Sequence, residues 1–393
     1  MSIDLLTGDF RMGTYKRWPV ELVAGSGTTV WDSAGREYLD FSGGIAVVAI
    51  GHAHPAVTAA VSEQVGRLVH VSNLYDTGPQ KELARRLAGL TGNKRSFFCN
   101  SGAEAIECAL KLARKRHLAR TGGPGRILSA SGSFHGRTFG ALAATGQPAK
   151  QVQFGPMVPG FEHVPYGDPG ALDETIGDDT AAVLLEPIQG EAGVVVPPKG
   201  YLAAARELCG RHGALLMIDE IQTGMGRTGS WFAYEHDGIA PDVICLAKGL
   251  ANGLPIGACL ADPEVAAELV PGDHASTFGG GPVPCAAAVA TLEVIENDEL
   301  VARAALAGLQ LTASLRAVVR DDVEVRGRGL LIGVSFPGPI ARAIVGRALE
   351  LGLLLNDPTP HVVRLSPPLN VTDSEVERAV TIFEEVVHEV RPA

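Results

Sequence analysis

Lys248 stands between the apolar run "PDVICLA" and Gly249, and it is the last lysine of the chain. A lysine at the mouth of a low-dielectric pocket loses affinity for its proton and can attack a carbonyl carbon to form a Schiff base. A surface lysine at a strand end does neither, and taken singly the residue fits both readings. Asp219 and Glu220 follow the apolar run "LLMI" side by side. If the strand continues through them, their side chains point to opposite faces. A buried carboxylate needs a cationic partner or loses its charge, and a protonated ring nitrogen would be such a partner. In "NSGAEAIECALKLAR", Ser101 precedes Glu104 by the spacing of a capping box, and Gly102 permits close backbone approach. A helix N-terminus offers free N–H groups and the positive end of a dipole, which suit a phosphate; they also suit a helix that is merely capped.

The elements that would position these residues are legible as changes of texture. The first 50 residues read as short strands, "VELVAG", "TTVWD" and "REYLDF", separated by turns. From about residue 51, helical patterns ("VTAAVSEQVGRLV", "KELARRLAGL", "ECALKLARKRH", "YLAAARELCGRHG") alternate with short apolar runs ("RSFFCN", "GRILSAS", "AAVLLEP", "ALLMIDE", "DVICLAK", "IGACLAD"). That alternation predicts an α/β fold with a mostly parallel sheet covered by helices on both faces. Ligands bind beyond the carboxyl ends of such strands, where "FFCNSGAE", "LLEPIQGE", "LLMIDEIQTG" and "ICLAKG" bring an anion site, acids, a glutamine and the lysine. After about residue 284 comes one long Ala/Leu/Val-rich helical stretch. The Gly-broken runs of "VEVRGRGLLIGVSF" then predict a hairpin, and Val376, Ala379, Val380, Phe383 and Val387 share one face of a last helix. The expected division is an N-terminal segment 1–50 belonging to a smaller domain, a large domain 51–284, and a closing α+β domain 285–393.

Composition narrows the function classes. A net charge of -11 supplies no basic surface for nucleic acid, and no apolar stretch approaches the length of a membrane span. Six cysteines without a C-x-x-C pair read as reduced core thiols. The opening "MSIDLLTGDFRMG" carries acids early and reads as no secretory signal, so a cytoplasmic location is expected. His52 and His54 in "GHAHP" lack a third ligand nearby, and no metal site is expected. H-E-x-x-H, G-x-S-x-G and P-loop motifs are absent.

A Schiff-base lysine, a phosphate-binding helix start and a carboxylate for a ring nitrogen are together the requirements of pyridoxal phosphate. The ordered stretches "YLDFSGGIAVVAIGHAHPAV", "HVSNLYDTGPQKELARRL", "FFCNSGAEAIECALKLAR", "SFHGRT", "VLLEPIQGEAGV", "LLMIDEIQTGMGRTG", "AKGLANGLPIGA", "STFGGGP" and "VRGRGLLIG" run nearly the length of the chain. By them the sequence resembles the class III aminotransferases, of pyridoxal-phosphate fold type I, the aspartate aminotransferase fold. Within that family it is most similar to members that act on N-acetylornithine, with 2-oxoglutarate as acceptor and glutamate as product.

The resemblance implies roles for residues at matching positions. Lys248 is the lysine that holds the cofactor and then moves the proton, and Asp219 pairs with the ring nitrogen. Phe134 and Ile221 sandwich the ring, with Gln222 near its hydroxyl. Ser101, Gly102 and Ala103 take the phosphate together with Thr277 of a second copy, which implies a homodimer sharing its sites. Arg137 matches the residue gripping the substrate carboxylate farthest from the reacting amine, Arg364 the one for the α-carboxylate of glutamate, and Glu191 the acid that covers Arg364 when an ω-amine is bound. Tyr15 matches a substrate-channel tyrosine, and Glu186 reads as structural. Gly281, Ala251 and Asn252 depart from the family pattern near the cofactor entrance. Ornithine, succinylornithine, 4-aminobutyrate and lysine-type ω-aminotransferases share these features, and a non-catalytic pyridoxal-phosphate-binding protein is the alternative from another class.

Overall fold

The computed structural model describes residues 10–391; residues 1–9, on which the reading of a missing leader largely rests, lie outside them. Three strands, β1 (Leu22–Ser26), β2 (Thr29–Asp32) and β3 (Glu37–Asp40), pair antiparallel in sequence order.

The apolar runs form a seven-stranded sheet. Its strands are β4 (Arg95–Cys99), β5 (Arg126–Ala130), β6 (Phe161–Val164), β7 (Thr180–Leu185), β8 (Leu215–Asp219), β9 (Val243–Leu246) and β10 (Gly257–Ala261), in spatial order β4-β10-β9-β8-β7-β5-β6. Pairing is parallel from β9 across to β6, whereas β10 runs antiparallel to both β9 and β4. The runs lack polar alternation because both faces are covered. Leu216 and Ile218 of β8 join one core and Leu215 and Met217 the other. All six cysteines are free and buried.

The long helical stretch expected after residue 284 divides into Pro282–Asn297 and Leu300–Val318. Glu299 between them has φ +51, a left-handed conformation that an α-helix cannot continue through. The predicted hairpin is β11 (Glu324–Arg328) with β12 (Leu331–Ser335). After β13 (Leu353–Leu354), which pairs parallel with β3, the strands β14 (Asn356–Thr359) and β15 (Val362–Leu365) complete a sheet ordered β11-β12-β15-β14. The last helix, Asp373–Val390, opens with a full capping box of Thr372 and Glu375 and buries its expected face. No helix among the described residues is long and apolar enough to cross a membrane.

Candidate active site

A cavity of about 410 Å³ opens beyond the carboxyl ends of β7, β8 and β9. Lys248 stands just past β9 at φ +39, a strained value for a residue with a side chain, and it has no hydrogen-bond or ion-pair partner in the described chain. Burial pushes its ammonium down to about 8, against the opposing pull of Glu191.

Asp219 is the last residue of β8 and is 4% exposed. Its Oδ2 accepts a 2.8 Å hydrogen bond from Nδ1 of His135, whose side chain is fully buried, and its Oδ1 accepts from the Ile221 amide at 3.0 Å. Both acceptor atoms are thereby fixed in direction. Leaving a buried polar group without its hydrogen-bond partner costs about 1–3 kcal/mol. The neighbouring Glu220 turns the other way, accepting from the Tyr234 amide at 3.0 Å and from the Thr223 hydroxyl at 2.5 Å. Burial raises the Glu220 carboxyl to about 7. The two acids are separated as strand alternation requires.

The helix Gly102–Thr121 begins at the cavity wall. Ser101 Oγ accepts from the Glu104 amide at 3.3 Å, but Glu104 answers the Asn100 amide at 2.5 Å rather than that of Ser101, so the capping box is only half closed. The amides of Gly102 and Ala103 are left without intrahelical partners, as at any helix start. A Cβ on Gly102 would lie 2.7 Å from Ile221 Cδ1, so glycine is what lets this turn and Ile221 share the wall.

Phe134, Arg137 and Glu191 also line the cavity. The guanidinium of Arg137 and Nζ of Lys150 lie 5.5 and 5.8 Å from the centre of the Phe134 ring. Glu186, read as structural from the sequence, lines the cavity as well, with Oε2 accepting from the Phe134 amide at 3.0 Å. Burial, then the nearby Asp219, raises its carboxyl well above the usual range.

Arg364 lies at the centre of β15, 1% exposed, behind this wall. Its Nη1 donates to Glu191 Oε1 at 2.7 Å and Gln222 Oε1 at 2.9 Å, and its Nη2 to Asn356 Oδ1 at 2.6 Å. Burial works to raise the Glu191 carboxyl, but Arg364, Lys248 and two hydrogen bonds hold it below the usual range. Gly190 makes room for Gln222, since a Cβ there would fall 1.8 Å from Gln222 Oε1.

Two named residues lie elsewhere. Tyr15 is 73% exposed and stacks only with Arg17, 5.4 Å away. Thr277 is exposed in a loop that Asn73 ties down through Ser276 O at 3.0 Å and Gly279 O at 2.9 Å. Of the departures from the family pattern, Asn252 has a clear task at φ +47. It accepts from the Ile50 amide at 2.9 Å and donates to Gly51 O at 2.8 Å, joining distant turns. Sequence reasoning passed over His135, Lys150 and Asn356. His135 lay inside the quoted "SFHGRT", whereas Asn356 carries no local signal and meets Arg364 only because β14 and β15 pair.

The fold and this lysine–aspartate cavity are those of a class III aminotransferase, and the chain belongs to that family: its profile, Aminotransferase class-III, matches residues 13–387. Among individual relatives, the acetylornithine aminotransferase of Mycolicibacterium smegmatis is 51% identical over 378 residues, covering 96% of this chain and 95% of that protein. The ornithine aminotransferase of Toxoplasma gondii, whose structure reveals partial occupancy of PLP at its active site, matches with a TM-score of 0.93 at 38% identity over 96% of this chain and 92% of that one. The acetylornithine aminotransferase of Elizabethkingia anophelis matches with a TM-score of 0.87 at 34% identity, covering 98% and 97%.

Proposed function

We propose that the chain is an acetylornithine aminotransferase that moves the δ-amino group of N-acetylornithine to 2-oxoglutarate, using pyridoxal 5'-phosphate. The likeness to an acetylornithine aminotransferase over nearly the whole chain carries the choice of amine, and the pairing of buried Arg364 with Glu191, whose side chain is 26% exposed, carries the use of two substrates. An arginine held by a movable acid suits an enzyme that must accept one substrate with a carboxylate beside the reacting carbon and one without.

The residues present fit the cofactor. Gly102 and Ala103 present unpaired amides to an anion, Asp219 presents a fixed carboxylate to a ring nitrogen, and Lys248 supplies an amine with lowered proton affinity. When bound, pyridoxal phosphate supplies an electron sink for the carbon that loses its proton. Lys248 Nζ is the base that takes that proton and returns it as an acid. Asp219, held by His135, keeps negative charge at the ring nitrogen. Phe134 and Ile221 form the two apolar walls. Arg137 takes the α-carboxylate of N-acetylornithine or the γ-carboxylate of 2-oxoglutarate, its planar fork matching either. Arg364 takes the α-carboxylate of 2-oxoglutarate once Glu191 leaves it.

We further propose a homodimer in which Thr277 completes the partner's phosphate cup. Thr277 sits outside its own chain's cavity, beside Leu74 and Phe278, which are 83% and 65% exposed. Such an apolar surface suits burial against a second copy. Sedimentation velocity is expected to give a dimer, and a monomer with full activity would overturn this arrangement.

The substrate assignment is tested by the absorbance of the loaded enzyme. N-acetylornithine is expected to bleach the cofactor band faster than ornithine, succinylornithine or 4-aminobutyrate at equal concentration, and 2-oxoglutarate to restore it. A faster response to one of the other amines would reassign the substrate; no response to any amine would mark a binding protein without turnover.

A further inference from the structure

We infer that Asn356 is a positioning residue that sets the orientation of Arg364 and thereby the discrimination between the two substrates; this rests on the two-substrate reading of the site. Asn356 on β14 is the direct cross-strand partner of Arg364 on β15, and its Oδ1 accepts from Nη2 at 2.6 Å, the shortest of the three bonds made by that guanidinium. On the other side of β15 the register partner of Arg364 is Gly333, which offers no side chain to the arginine.

The fork therefore has two kinds of partner. Glu191 is charged, partly exposed and reached across a loop; Asn356 and Gln222 are neutral acceptors on opposite arms of the guanidinium. Nε, buried, makes no hydrogen bond among the described residues and does nothing to stop rotation about the Cδ–Nε bond. When Glu191 moves aside for an α-carboxylate, Nη1 loses its charged partner, and only Gln222 and Asn356 keep the plane of the guanidinium fixed. A bidentate arginine is effective when that plane is preset, because the entropy of orienting it is not then drawn from substrate binding. The neutrality of Asn356 matters equally. An amide oxygen directs the fork without cancelling its charge, whereas a carboxylate at this position would compete with the substrate's.

Two substitutions separate these effects in the holoenzyme. Asn356→Ala removes the acceptor. It is expected to raise the KM for 2-oxoglutarate about tenfold, the usual scale for one hydrogen bond to a charged group, with kcat changed less than about twofold. The rate at which N-acetylornithine bleaches the cofactor band is expected to be little altered. Asn356→Asp restores an acceptor but adds a competing charge, so it is expected to weaken 2-oxoglutarate at least as much as Asn356→Ala does. The affinity of the holoenzyme for glutarate, a dicarboxylate of the same length without the carbonyl, is expected to fall in both variants by a similar factor when measured by calorimetry, because one of its carboxylates still pairs with Arg364.

Equal losses in both half-reactions would show that Asn356 merely supports the fold and would overturn the inference, as would recovery of 2-oxoglutarate use in Asn356→Asp. Failure of the substrate reading looks different: the unmodified enzyme would then prefer another amine, while the effect of Asn356 on 2-oxoglutarate is measured independently of which amine that is.

Discussion

The site contains two buried side-chain pairs that differ in how far they are closed off from solvent. In His135–Asp219 both side chains are sealed, at 0% and 4% exposure, whereas in Arg364–Glu191 the arginine is at 1% and the acid at 26%. Asp219 also has its second oxygen fixed by the backbone, while the second oxygen of Glu191 makes no hydrogen bond among the described residues. Moving an ion out of a sealed pair costs several kcal/mol, but a partly hydrated one exchanges partners readily. On the proposed reading, the sealed pair serves chemistry that is the same for every substrate and the open pair serves a choice between substrates.

Substitutions that act on both substrates sharpen this contrast most. Lys248→Ala is expected to lower turnover by at least about 10⁴-fold with either substrate, since on the proposed reading it removes the proton carrier; single-turnover absorbance checks this. Asp219→Asn is expected to lower both half-reactions by about 10²–10³-fold, the scale for losing one preorganised electrostatic partner. Near-normal rates in that variant would mean that the sealed pair is structural only. Gly102→Ala drives a Cβ to within 2.7 Å of Ile221. The clash is expected to cost about 1–3 kcal/mol, read as weaker retention of pyridoxal phosphate on dialysis, with no preference between amines.

The smallest expected effect is one of pH. Lys248 titrates near 8 in the folded chain against 10.5 as its ordinary value. Between these the unfolded chain binds more protons, so the cofactor-free protein gains stability as pH rises through that window, and below about 8 the penalty of the buried ammonium is complete. Melting temperatures of the cofactor-free protein from pH 7 to 10 should therefore fall less steeply, or rise, relative to Lys248→Met. Identical pH profiles would show that the lysine is not desolvated.

The same contrast explains what could be read from the sequence. Asp219 ends one buried parallel strand and Lys248 follows another, so an apolar run leading to a charged residue announces them. The separation of Asp219 from Glu220 follows from strand alternation alone. Arg364 depends on three segments far apart in the chain: "QGEAG", "EIQTG" and the β14–β15 pair. No local spacing reports that meeting, and its residues were found by family resemblance or, for Asn356, only in the folded chain. The break at Glu299 was missed because composition continues helical on both sides while one backbone angle turns positive. His135 was missed because a histidine in a loop gives no sign that its ring is buried against an acid on another strand.

The most direct test of a fixed pair beside a switching one is to measure both half-reactions in Glu191→Ala holoenzyme by rapid-mixing absorbance. With Arg364 left uncovered, kcat/KM for glutamate is expected to rise relative to that for N-acetylornithine by about tenfold or more, while Asp219 and Lys248 keep the chemistry running. An unchanged ratio, with both rates intact, would contradict the assignment of Glu191 and Arg364 as the element that chooses between substrates.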